Sequence, residues 1–231
     1  MKQYRICLFL ISITFAACGD GEAPGGKELS PNPDSVTNTV LERPLRVLDS
    51  LSVNEYWEDF HREQHPFFEM EEFIEVTSSQ AQILQRQMAL DSSFYTSYGP
   101  VLVYNPDSSA FADIYSYSLI IENKNGKRTA RRGEPDSEVA VVNPNTGIRT
   151  RYLFCGPACV FELALWVDHQ NLAIMGLTDD DGDEIFRPAV WVINTRLNEI
   201  RQYKYPEQIN RILPRAFTRK YLKEKGVELR G

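Results

Sequence analysis

The run of short apolar segments between Val101 and Tyr205, each closed by turn-forming residues, constrains the fold of this chain more than any other feature. Residues 101–104, 111–121, 139–142, 148–154, 161–166, 172–177, 189–193 and 199–205 are rich in Val, Ile, Leu and aromatic side chains and are too short for helices. The joints between them carry Asn-Pro-Asp at 105–107, Asn-Lys-Asn-Gly at 123–126, Asn-Pro-Asn-Thr-Gly at 143–147, an Asp-rich loop at 179–183 and Asn194 to Asn198. These residues accept positive φ or preset a turn, so the pattern predicts strands joined by tight reversals. The expected class is mainly β within an α+β fold, an antiparallel β-meander or sandwich.

Helices are expected on either side. Ser52 and Glu55 form a capping-box pattern in front of Tyr56, Trp57 and Phe60, which share one helical face, and Pro66 ends the segment. Thr77 and Gln80 repeat the pattern and predict a second helix, with Ala81, Leu84 and Met88 on one face. Pro206 and Pro214 stand where two C-terminal helices would begin, the second ending at Gly226. The organisation that follows is a helical N-terminal segment over 41–95, a β-rich core over 96–205 and a C-terminal helical segment over 206–231.

Within the core there is a faint repeat. Val141-Val-Asn-Pro-Asn-Thr-Gly-Ile-Arg-Thr-Arg-Tyr152 is similar to Val192-Ile-Asn-Thr-Arg-Leu-Asn-Glu-Ile-Arg-Gln-Tyr203. Each copy follows an aromatic-turn-Asp stretch, Val103-Tyr-Asn-Pro-Asp107 in one case and Leu165-Trp-Val-Asp168 in the other. The two units resemble β-propeller blades, whose repeats have a period of about 40–50 residues. Two units cannot close a propeller, which typically takes about four to eight blades. The resemblance therefore implies two blade-like units in a meander or sandwich covered by the helices.

The N-terminus points to export. Lys2 and Arg5 precede an apolar run over 6–15 and the small pair Ala16-Ala17, the layout of a secretory signal over residues 1–17. Phe15-Ala16-Ala17-Cys18 resembles the lipobox of bacterial lipoproteins, with Phe where Leu is commonest. That resemblance implies cleavage before Cys18, lipid on its sulfur and amine, and a protein held to a membrane of the bacterial cell envelope. Residues 18–40 are rich in Gly and Pro and poor in apolar side chains, which suits a flexible tether. Gly19, Asp20 and Glu22 after the cysteine resemble the arrangement that in some Gram-negative groups implies sorting to the outer membrane or the cell surface, and the outer membrane is the expected location.

Charge and cysteine use narrow the chemistry. The net charge is −7, and losing Lys2 and Arg5 with the signal makes the remainder more acidic. No nucleic-acid partner is expected, since an acidic exported chain is a poor candidate for an affinity that comes largely from neutralising phosphates. Cys155 and Cys159 remain as an even pair in an exported chain, which predicts a disulfide. Their Cys-Gly-Pro-Ala-Cys setting is similar to the thioredoxin redox site but has an added alanine and lacks the βαβ context. Asp179, Asp181 and Asp183 are candidate calcium ligands, although Leu177 and Pro188 fall where an EF-hand places its first and last ligands. A solvated turn is the expected reading, and no other cofactor is expected. His61 and His65 sit one helical turn apart, but Glu63 is misplaced for the zinc-protease pattern.

Two basic runs stand out on this acidic background. Lys124, Lys127, Arg128, Arg131 and Arg132 fall in a long hairpin connection, and Arg215, Arg219, Lys220 and Lys223 in the C-terminal segment. Either they are solvated faces or they meet anionic head groups, glycans or an acidic partner. The sequence thus predicts a membrane-anchored envelope lipoprotein acting as a non-catalytic binding or accessory module for a protein, peptide or glycan. The alternatives are an envelope enzyme whose site, involving His169 or the acidic loop, is not recognisable from spacing, and a structural subunit of an outer-membrane assembly.

Overall fold

A computed structural model of the chain describes residues 54–179, 182, 184–206 and 213–230. The signal sequence, Cys18, the tether, Ser52, the candidate ligands Asp181 and Asp183, and the short helix expected after Pro206 lie outside the described residues. No described helix is long and apolar enough to cross a membrane.

The expected α+β class is what the chain adopts: two five-stranded antiparallel sheets and a three-stranded one, flanked by short helices. Helix α1 (Asn54–Arg62) is followed by β1 (Ile74–Gln80) and β2 (Leu84–Gln87), then α2 (Ser92–Tyr98). Strands β3 (Val103–Tyr104), β4 (Phe111–Asp113), β5 (Leu119–Lys124), β6 (Lys127–Arg132), β7 (Ser137–Val142) and β8 (Ile148–Cys155) come next. They are followed by β9 (Cys159–Trp166), β10 (Asn171–Thr178), β11 (Arg187–Asn194) and β12 (Glu199–Lys204). Helix α3 (Ala216–Glu224) and β13 (Val227–Leu229) complete the described chain.

The two large sheets have matching strand orders, β1-β12-β11-β10-β9 and β2-β8-β7-β4-β3. The repeated sequences form equivalent hairpins, β7–β8 and β11–β12. The likeness to propeller blades goes no further. Both sheets are open, each has five strands, and they do not curl into a ring. The fifth strand of each comes from the N-terminal ribbon β1–β2, which pairs with β12 in one sheet and β8 in the other.

That ribbon replaces the helix expected over 77–88. Ile74, Val76 and Thr77 are β-branched and suit a pleated strand, and the chain between the strands is held by the Ala81 amide donating to the Asn198 carbonyl at 2.6 Å. The capping box is a local signal, and two cross-sheet ladders satisfy more backbone groups than it can. The strand expected over 111–121 is likewise broken in two. Asp113 Oδ1 accepts from the Tyr115 and Ser116 amides and turns the chain between β4 and β5. Helix α2, which the sequence did not suggest, is capped by Asp91 accepting from the Phe94 amide at 2.8 Å.

The core lies around β9 and β10, which are buried along almost their whole length. At Gly176 a Cβ would sit 2.1 Å from the Val160 carbonyl oxygen, so only glycine fits where β10 meets a bulge in β9. Helices α1 and α3 cover this region through Trp57, Phe60, Phe217 and Tyr221, with the Phe60 and Phe217 rings 5.4 Å apart.

Candidate functional site

The predicted site residues divide into three places. Cys155 and Cys159 are joined in a disulfide with 6.0 Å between their Cα atoms. It closes the short loop from β8 in one sheet to β9 in the other. Of the acidic loop, Asp179 is described. It is buried and its Oδ2 accepts from the Glu184 amide at 3.1 Å, the geometry of a turn. No cluster of metal-ligating side chains is found among the described residues. His169 Nδ1 lies 3.4 Å from Asp107 Oδ2, with both side chains more than half exposed on the surface.

The basic runs are brought together, which the sequence did not indicate. The residues Lys127 to Arg132 form a strand because Asn125 and Gly126 both take positive φ, 53° and 78°. That is the type I′ turn that matches the twist of a two-residue hairpin. Strand β13 then pairs in parallel with β6, setting Val227 opposite Arg128 and Leu229 opposite Ala130. Gly226 makes this return by terminating α3 with a φ of 73°. Runs separated by most of the core thereby face each other across a cleft of about 730 Å³.

Among the described residues four cations line it, Lys127 and Arg128 from the hairpin and Arg219 and Lys223 from α3, with one carboxylate, Glu228. Lys127 Nζ is 2.7 Å from Glu228 Oε2, and this partner first, then Arg230, holds the Glu228 carboxyl below its ordinary range. Arg219 NH1 donates to the Leu229 carbonyl at 3.0 Å, and Arg128 Nε donates to the Thr96 carbonyl at 2.8 Å. These bonds fix both guanidinium groups on the walls. Leu229 adds some apolar surface, whereas Val227 is fully buried, and none of the described lining residues is aromatic.

The other predicted basic residues are not among the described residues that line this cleft. Lys124 Nζ pairs with Glu122 at 2.6 Å. Lys220 lies 3.5 Å from Glu63 and over the Tyr56 and Phe60 rings. Arg131 is near enough to Glu122 to help depress its carboxyl, behind the stronger effect of Lys124. Arg215 starts α3 with a left-handed φ of 71°; burial, and then the Arg132 charge, make its guanidinium a weaker base.

Two buried polar groups escaped sequence reasoning altogether. Arg149, Asp113 and Glu138 form an ion network in the second sheet. Arg149 NH1 is 2.5 Å from Asp113 Oδ2, NH2 is 2.6 Å from Glu138 Oε1, and all three side chains are 3% exposed or less. Glu162 is the bulged residue of β9 and is turned out of the strand's alternation toward α1, where Trp57 Nε1 donates to Oε2 at 3.1 Å. Burial raises its carboxyl to about 8, outweighing the opposing effects of Trp57 and the Arg215 backbone amide. Its Oε1 has no regular hydrogen-bond partner, and neither ring nitrogen of the fully buried His61 has one. Burial, and then His65, lower the His61 imidazole to about 3. Neither Glu162 nor His61 is among the residues that line the cleft, and both are fully buried.

No protein-family model matches the chain, and neither a curated protein nor a solved structure is similar to it. The resemblance to propellers is therefore overturned by the open sheets and unsupported by any relative. The resemblance to lipoproteins has no family match behind it and rests on four residues outside the described part.

Proposed function

We propose that this chain is an exported, non-catalytic binding module, held at a membrane of the bacterial envelope through Cys18, and that the basic cleft grips an anionic partner. The observation that carries this reading is the parallel pairing of β13 with β6, which gathers Lys127, Arg128, Arg219 and Lys223 on a protein whose net charge is −7. Like charges so placed repel one another and destabilise the fold slightly, so their convergence makes physical sense when a ligand completes them. The cleft has the size of a small-molecule or side-chain-group site, for which about 300–1,000 Å³ is usual.

The test is photo-crosslinking in intact cells. A crosslinking side chain at position 223 should capture a discrete partner, and one at Ser78, on exposed β1, should not. Equal capture from both positions, or none from position 223, would contradict the reading. For the anchor, Cys18→Ser should move the protein from the membrane to the soluble fraction; unchanged membrane association would reject it.

A further inference from the structure

We propose that the cleft takes a phosphate group, as a phosphomonoester or diphosphate, which displaces the Glu228 carboxylate from Lys127. This rests on the binding-module reading and names the chemistry of its ligand. The first argument is charge. Among the described lining residues four cations face one carboxylate, an excess that a single additional carboxylate leaves mostly uncompensated. A phosphomonoester carries about −1.5 to −2 at neutral pH, and three acceptor oxygens.

The second argument is donor geometry. Two of the cations are arginines, whose planar forks suit phosphate oxygens, and each is already oriented by a backbone carbonyl, Leu229 for Arg219 and Thr96 for Arg128. The third is what the lining lacks. A sugar or nucleobase site usually offers an aromatic face for stacking, and the described lining offers no aromatic side chain. The recognised part is then the phosphate itself. Glu228 is the internal stand-in for that anion: its carboxylate occupies Lys127 at 2.7 Å, where a phosphate oxygen would sit.

The internal stand-in supplies a test that misfolding cannot imitate. Titrating the full chain, in a non-ionic detergent, with inorganic pyrophosphate should show saturable binding. Lys223→Ala should weaken it by roughly 5–10-fold, as expected for loss of one charge-assisted contact. Glu228→Gln should tighten it by roughly 3–10-fold, because Lys127 is released. Citrate, a carboxylate anion of comparable charge, should bind at least about 10-fold more weakly, since its charge is spread over three separate carboxylates rather than gathered on compact phosphate groups with three acceptor oxygens each. Mixed micelles carrying phosphatidic acid distinguish the sources: tighter binding than to pyrophosphate assigns a lipid head group, and weaker binding a soluble phosphate. Unchanged affinity in Glu228→Gln, or citrate binding as tightly as pyrophosphate, would overturn the phosphate assignment. If pyrophosphate fails to bind while position 223 still crosslinks a partner in cells, the phosphate assignment falls and the binding module stands; if both fail, both fall.

Discussion

The two-sheet body and the annex built from β5, β6, α3 and β13 handle charge in opposite ways. In the body, Arg149 is sealed from water and neutralised by Asp113 and Glu138. In the annex, four cations share one cleft with one carboxylate among the described residues. Buried charges are tolerated only when paired, so the body's network is a condition of folding. The annex cations face solvent, where an excess costs little, and their grouping serves something other than stability. The matched strand orders of the two large sheets sharpen the contrast, because the repeated meander accounts for the body and leaves β5–β6 as an addition between β4 and β7.

If that division holds, substitutions in the body should cost stability and those in the annex should not. The largest effect is expected for Arg149→Ala, which leaves Asp113 buried without this cation and Glu138 with only the outer guanidinium groups of Arg86 and Arg151, 3.5 and 3.9 Å away. A loss of about 3–5 kcal/mol in urea denaturation is predicted, and a loss below about 1 kcal/mol would show the network to be dispensable.

Next comes the pH dependence of the Glu162 and His61 pair. Glu162 is raised from 4.5 to about 8, so the stability it contributes is complete below about pH 4.5 and is lost as pH rises toward 8. His61 is lowered from 6.5 to about 3, so its contribution is complete above about pH 6.5 and is lost as pH falls toward 3. The two slopes oppose each other between these limits, giving a broad maximum on the acid side of neutrality. Glu162→Gln should remove the alkaline limb, stabilising the protein by roughly 1–3 kcal/mol at pH 8 and changing it little at pH 5. Thermal denaturation across that range checks this, and an unchanged alkaline limb would sink it.

The smallest effect is expected in the annex. Lys223 stands in the last turn of α3, where a cation offsets the negative end of the helix. Lys223→Ala should therefore lower stability by no more than about 0.5 kcal/mol. A loss of about 2 kcal/mol or more would make the basic run part of the scaffold and erase the distinction.

How much of this was legible depended on the range of the interactions. The hairpins were, because Asn143 to Gly147 and Asn194 to Asn198 encode their own reversals, and the repeated hairpin sequences do occupy equivalent positions. Residues 77–88 were misread, since Thr77 and Gln80 signal a helix locally while β12 and β8 recruit the segment from far along the chain. Strand β6 was hidden by its composition, Lys-Arg-Thr-Ala-Arg-Arg, and so was its pairing with β13. Both basic runs were found individually, but the parallel ladder that joins them has no local signature. Arg149 and Glu162 look like ordinary charges within strands, because burial is a property of the packed sheets and, for Glu162, of a bulge opposite Gly176.

The most direct measurement is residue-by-residue mapping of backbone amide shifts by NMR as pyrophosphate is added to the full chain. Saturable shifts confined to residues 124–132 and 219–230, with the amides of β9 and β10 unmoved, are the predicted result. Shifts scattered over the surface without saturation, or none in those two segments, would contradict a binding cleft in the annex.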